Sequence, residues 1–470
     1  MSRRPVKSIL VAGSGIVGLS AALAFERNLP GTKVRLLETP CNPAALADRV
    51  PATTPLVHRF HAAIGVDELN MVRSGVALHR LGTRFENWSG SGQAWFSGFE
   101  RRGYPADGIP FHQVWLREQH RTFEDWSIAS ALASARRFVH PSEDPSSPLS
   151  AFLYGLNLDP DRYREFLDLR ARGIERRSGT IAAIEVVDGG MIGAIRLDSG
   201  EDLHADLYVD CTGPHALLIS RVDRSWERWD AWLPCDRLEF QDALPEELAP
   251  SDRVIADQQG WTWTVPLPER TLRIRAGRSG DGIGCGRRAN PWVGNVLAIG
   301  DAALRVDPLH GAALHLAHSA ILRALQLMPG ADMQRLELAE YNRQSGLESD
   351  RARDFLALHY VRSGHQAPFW RDPGLREMPE GLARSVEQFE RRGRLPLFEE
   401  ECFDQESWLA ALIGLGIRPG AIDPLADGID RVRALVGMDA LADRIAAIPQ
   451  RFPRYAQLHA ELSAISDRAG

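Results

Sequence analysis

Six residues near the start of the chain restrict its fold more than any others: Gly13-Ser14-Gly15-Ile16-Val17-Gly18, a complete G-x-G-x-x-G. Ser8 to Ala12, before them, read as a buried parallel strand, and Leu19 to Arg27, after them, as a helix. Gly13 permits the tight turn, Gly15 lets backbone approach a pyrophosphate, and Gly18 lets helix and strand pack closely. The helix N-terminus then turns its free N–H groups toward the phosphates. A second strand, Lys33 to Leu37, ends in Glu38. That carboxylate lies about 20 residues past the last glycine, where it can accept ribose hydroxyls. The pattern predicts dinucleotide binding; the alternative is a tight turn with no ligand.

Later segments choose between dinucleotides. Ala205 to Thr212, followed by Gly213, reads as a hydrophobic strand running into a small-residue turn. Asn295 to Ile299 reads as another, running into Gly300-Asp301. In FAD proteins of the two-dinucleotide-fold type, a late Gly-Asp after a strand places the aspartate on the ribityl chain. FAD is therefore the expected cofactor, with Gly13, Gly15, Gly18, Glu38, Gly300 and Asp301 as its binding residues.

Composition narrows the partners. Formal net charge is −7 and no long basic block occurs, which argues against nucleic acid and against an anionic membrane surface. The five cysteines are scattered and form no C-x-x-C pair, so neither a disulfide framework nor a structural zinc site is expected, and a cytoplasmic location fits. The N-terminal run could pass for a signal peptide, but its glycines favour strand, turn and helix. No apolar run of about 18 residues is free of charges or glycine breaks, so no transmembrane helix is expected.

Further along stands Gly260-Trp261-Thr262-Trp263-Thr264-Val265-Pro266. Trp261 and Trp263, one residue apart, share a face of an extended segment. This stretch resembles the W-x-W-x-I-P signature of the flavin-dependent, tryptophan-type halogenases, with valine for isoleucine. Other stretches are similar to family text: Arg84 to Trp88, Phe111 to Gln113, Trp115 to Arg117, Leu233 to Arg237, Gly294 to Asp301, Arg353 to Phe355, His359-Tyr360, Phe369 to Asp372, Trp408 and Gly416 to Pro419. The likeness follows the family's order along most of the chain.

The resemblance implies an α/β fold: a two-dinucleotide-fold FAD-binding module around a doubly wound sheet, plus a more helical substrate module. The expected flavin module comprises residues 1–85, 110–220 and 270–330. The expected substrate module comprises 86–109, 221–269 and 331–470. Helical apolar spacing over Met333 to Val361 and Leu375 to Arg392 supports the second, with Pro368, Pro373 and Pro379 punctuating the connection.

The resemblance also implies a chemistry. Reduced FAD from a separate flavin reductase reacts with oxygen, and halide is converted to hypohalous acid. The acid travels down a tunnel to a small aromatic, indole-like substrate. A lysine captures or orients it, and a glutamate beside a Ser-Thr-Gly halide site assists attack. Here Arg80 stands at the lysine position. A guanidinium stays charged, so it cannot readily form a haloamine, though it can donate hydrogen bonds or bind an anion. A structural ion pair or a surface residue is its other reading. In place of the family's D/E-P-L-E-S-T-G-I the chain reads Asp307-Pro308-Leu309-His310-Gly311-Ala312-Ala313-Leu314. His310 can take a proton near neutral pH, but it lacks the fixed negative charge of a glutamate. A packing or polar lining role is its other reading. A family His-Pro-Phe-Gly segment appears as Ser97-Gly98-Phe99-Glu100, and the stretch from Pro266 to Trp292 looks shorter than usual.

Phe99, Trp261, Trp263 and Trp408 are expected to line the substrate site, with Trp88, Trp115, Phe369 and Trp370 as further aromatic candidates. His310, His315 and His318 are read on one helix; no acid joins them there, so no metal site is expected. The flavin motifs are intact while the halogenation residues differ. Two readings follow: an FAD-dependent oxidoreductase, halogenating or acting as a non-halogenating monooxygenase, or a catalytically silent FAD-binding partner of a true halogenase. The resemblance leaves homodimer formation open.

Overall fold

The computed structural model describes residues 4–90, 92–187, 189–235, 237–277, 283–371 and 377–464. Asp236, Asp372, Pro373 and the start of the helix expected from Leu375 lie outside these residues, as do five positions of the stretch between Pro266 and Trp292. The chain forms two compact units. The first holds residues 1–68, 158–230 and 283–350, the second 69–157, 231–282 and 351–470. Residues 69–85, 110–157 and 270–282, expected with the flavin module, group with the second unit, and residues 221–230 and 331–350, expected with the substrate module, group with the first.

The first unit is built on a six-stranded sheet. Its order is Trp292–Val293, Val296–Ala298, Leu207–Asp210, β1 (Ser8–Ala12), β2 (Lys33–Glu38) and Glu175–Ser178. All neighbours are parallel except the first pair. Strand order reverses between β1 and Leu207–Asp210, which is the switch point where doubly wound sheets hold ligands at their carboxyl ends. Apolar runs make this sheet: Ile9, Leu10, Val11, Leu36, Leu207 and Val209 are all fully buried.

Helix α1 (Ile16–Asn28) follows β1 and is buried along its first ten residues. Gly18 is obligatory in this packing. A Cβ there would lie 1.9 Å from the Gly13 carbonyl oxygen.

The second unit carries a seven-stranded sheet. Its order is Arg237–Ala243, Thr271–Gly277, Gly260–Pro266, Asp252–Asp257, Gly82–Glu86, Ala94–Glu100 and Phe152–Leu153. Only the Asp252–Asp257 and Gly82–Glu86 pair is parallel. In Gly260–Pro266, Trp261, Trp263 and Val265 are buried while Thr262 and Thr264 are half-exposed, the alternation of a one-sided sheet. Helices Phe111–Glu118, Ile128–Ser134, Glu380–Arg392, Gln405–Gly414 and Arg431–Ala447 belong to this unit. The helix Arg335–Val361 begins two residues later than expected and contributes to both units. Among the described residues, no helix is long and apolar enough to cross a membrane.

Candidate functional site

In the first unit the glycine-rich turn forms a cradle with no room for side chains. Gly13 has φ +122°, and a Cβ there would sit 2.3 Å from the Cys211 carbonyl oxygen. Its N–H donates to the Leu37 carbonyl at 3.0 Å, tying the turn to the end of β2. Gly15 is the N-cap of α1 and supplies no side-chain cap. The orphan N–H groups of that end attract an anion. The structure supplies one from the chain itself: Asp48 Oδ1 accepts the Val17 N–H at 2.9 Å, and Asp48 Oδ2 lies 2.0 Å from where a Cβ on Gly15 would be.

Asp301 faces the same segment. Its two carboxylate oxygens accept the N–H groups of Leu46 at 3.0 Å and Ala47 at 3.1 Å. Burial pushes the Asp301 carboxyl up to about 6, against the opposing pull of those two N–H groups and Arg305. Burial pushes Asp48 up to about 7, with the nearby Asp301 charge adding to the rise. Gly300 turns at φ +65° against the Val17 side chain. Glu38, at the end of β2, accepts from Arg176 at 3.0 Å and from the Ser178 hydroxyl.

His310 departs from expectation. It lies before the helix Ala312–Gln326, in a turn, with φ 62°. Gly311 follows at φ 78°, where a Cβ would come within 2.2 Å of the Ala52 carbonyl oxygen. His310 is 4% exposed. His315 and His318 do share the helix, but they do different things. His315 Nδ1 bonds the Thr54 hydroxyl at 2.6 Å, and its Nε2 faces Glu348, from another helix, at 3.7 Å. Burial alone would raise Glu348, but the hydrogen bond from His315 and the Arg323 charge pull it down to about 2. His318 stacks on Phe60 with ring centroids 3.7 Å apart, and burial keeps it neutral.

In the second unit Arg80 ends the strand Ala77–Arg80 and is 1% exposed. Its Nε donates to Asp252 Oδ2 at 2.5 Å and its Nη2 to the Thr83 hydroxyl at 2.6 Å. Asp252 Oδ1 accepts from Thr83 at 2.5 Å and from the Trp263 indole N–H at 2.8 Å. The Phe99 ring lies 5.3 Å from the guanidinium carbon. Arg80 is thus the cation of a closed, buried network.

That network absorbs Trp263. Trp261 is also fully buried, and its N–H donates to the Tyr360 hydroxyl at 2.9 Å. Trp408 is 2% exposed, edge-on to Phe355 and under the Arg351 guanidinium at 4.5 Å. These three tryptophans, expected at a substrate wall, are core side chains in this structure. Phe99 remains half-exposed. Glu100, the last residue of the altered His-Pro-Phe-Gly segment, accepts the Ser127 hydroxyl and the Ala129 N–H (3.0 Å), holding the start of the helix Ile128–Ser134.

The sequence matches the family described as tryptophan halogenase over residues 8–274 and 269–431. This chain belongs to that family. A tryptophan 6-halogenase of Streptomyces toxytricini is similar to it, at 24% identity over 91% of this chain and 93% of that relative. A solved flavin-dependent halogenase from Brevundimonas sp. BAL3 resembles it with a TM-score of 0.89 at 30% identity, covering 97% of this chain and 99% of that one. Another from Xanthomonas campestris has a TM-score of 0.88 at 26% identity, covering 98% and 99%. As a member of the tryptophan halogenase family, the chain is a halogenase-like flavoprotein of the oxidoreductase class.

Within this family frame, the first unit brings Gly13, Gly15, Gly18, Gly300 and Asp301 together around the N-terminus of α1. Sequence reasoning missed two acids in the family chain, Asp48 and Asp252. Asp48 reaches Val17 across 31 residues, and Asp252 reaches Arg80 across 172. Neither stands in a motif, so no local signal marks them.

Proposed function

We propose that this halogenase-family chain binds FAD in the first unit and oxidises a small aromatic, indole-like substrate, using reduced FAD from a separate reductase and oxygen. The observation that carries this is the side-chain-free cradle of Gly13, Gly15 and Gly18 at an α1 N-terminus that already holds a carboxylate. An anion seat of this shape fits a pyrophosphate. In this reading Glu38 meets the ribose and Asp301 the ribityl chain, while Asp48 gives up the Val17 N–H to phosphate. Bound reduced FAD supplies the electrons that activate oxygen.

The remaining roles fall to the chain. Arg80 keeps a fixed positive charge held by Asp252 and Thr83, so it positions Phe99 rather than acting as an amine nucleophile. His310 offers an imidazole for proton transfer. Phe99 offers a ring for stacking.

The test is mass spectrometry on the purified chain with FAD, a flavin reductase, NADH, oxygen, bromide and a panel of indoles and phenols. A brominated or oxygenated product absent without the protein is the expected result. A folded chain that takes up no FAD overturns the proposal. The Arg80–Asp252 pair favours a second reading, a silent FAD-binding partner. That reading predicts FAD uptake, hydrogen peroxide as the only product, and association with an intact family member.

A further inference from the structure

The second unit contains a cavity of about 540 Å³ that Arg80 and Phe99 do not line. Trp95, Phe96, Trp115 and Phe123 form aromatic walls, with Arg102 and Arg418 beside them. Trp115 and Phe123 are 4.9 Å apart between centroids. The Arg102 guanidinium lies 5.1 Å from Phe123, and that of Arg418 lies 5.7 Å from Trp115. Cavities of a few hundred Å³ walled by aromatics with a few convergent polar groups are the usual shape of small-molecule sites.

Two features give the ligand's chemistry. The first is a set of donors without acceptors. Trp95 Nε1, Arg102 Nε and Arg102 Nη1 are buried and make no hydrogen bond, on side chains only 4% and 2% exposed. Buried donors of this kind cost free energy unless an acceptor fills them. The second is charge. Arg102 faces Glu100 at 3.4 Å and Glu406 at 3.7 Å, Arg121 faces Asp439 and Asp443, and Glu124 faces Arg84. Arg418 donates only to the carbonyls of Ile413 and Ile417 and, among the described residues, has no carboxylate within 4.0 Å. The lining therefore keeps one cation whose charge nothing balances, at the rim, and three unfilled N–H groups.

We propose that this cavity is a second ligand site for an aromatic carboxylic acid. Its ring lies among the four aromatic side chains. Its carboxylate meets Arg418 and stays clear of Glu100 and Glu406. The Arg102 and Trp95 donors lie just behind the cavity wall, and a small shift of the side chains that cover them lets acceptor atoms of the ligand fill them. Nothing in this binding needs flavin, so it stands apart from the proposed oxidation.

Calorimetry on the full chain without flavin tests it, with indole-3-acetate and tryptamine as a pair that differs in the sign of its charge. Indole-3-acetate should bind at least about tenfold more tightly. Arg418→Gln should erase that preference, and Arg418→Glu should reverse it. A crystal soaked with the acid should show it in this cavity, with its carboxylate on Arg418. Equal affinity of the wild-type chain for both compounds overturns the proposal without recourse to any variant. So does unchanged preference in a folded Arg418→Gln chain, or the acid seated against Arg80 and Phe99 alone.

Discussion

Replacing Arg80 by methionine separates a structural cation from a catalytic one. The substitution keeps the length of the stem and removes the guanidinium. Asp252, 0% exposed at its side chain, then retains, among the described residues, the Thr83 hydroxyl and the Trp263 N–H. Breaking one side of a buried ion pair costs about 3–5 kcal/mol, because the other charge is left behind. Arg80→Met alone should lose that much. In the double variant Arg80→Met/Asp252→Asn the charge is gone, while the amide oxygen still accepts from Trp263. Its cost should fall to about 1–2 kcal/mol, so the two changes are strongly non-additive. Urea unfolding followed by tryptophan fluorescence gives the comparison, and flavin binding measured alongside checks the cradle. A loss below about 1 kcal/mol for Arg80→Met, or additive losses in the double variant, would refute the closed network and favour Arg80 as a hydrogen-bond donor or anion binder.

Three more expectations follow from the geometry. Gly15→Ala places a Cβ against the Asp48 carboxylate and should weaken FAD binding at least tenfold, read by quenching of flavin fluorescence. Asp48 and Asp301 titrate in the folded chain at about 7 and about 6, above the ordinary 3.8, so their contribution to stability is fully present below about pH 4 and is lost as pH rises through those values. Asp48 alone accounts for up to ~4 kcal/mol of that loss, and a thermal melt of flavin-free Asp48→Asn should be flatter between pH 4 and 8 than the parent's. His310→Gly relieves a left-handed backbone worth about 1 kcal/mol but empties the space of a buried imidazole, which costs about 2–4 kcal/mol, so the urea midpoint should fall, while any proton-transfer role of the imidazole would show as lost turnover.

The dinucleotide unit was legible because its physics is local. A glycine spacing, a strand on each side and a carboxylate at the second strand's end all lie within residues 8–38, and the structure places them in register. The pairing of Trp261 with Trp263 on one face was also readable from strand alternation. What that face meets was not. Both indoles are satisfied by groups brought from afar, Tyr360 and Asp252, and periodicity reports a face without naming its neighbour. His310 fails for another reason. Histidine carries no strong turn signal, and its left-handed conformation shows only once Gly311 is seen pressed against Ala52. The expected trio of histidines ignored Glu348 because acids were sought on the same helix, and the partner arrives 33 residues later on another.

The cramped turn at Gly311 limits what this position can carry. Where the family motif carries a hydroxyl, this backbone admits no side chain at all, since φ is positive and the Ala52 carbonyl fills the space. A serine placed there would drive a new atom into main chain that cannot swing aside as a side chain can. The segment around Ala52 has to be rerouted first, and only then does a hydroxyl fit. Gly311→Ser in the present backbone should therefore destabilise the fold rather than restore a hydroxyl to the site.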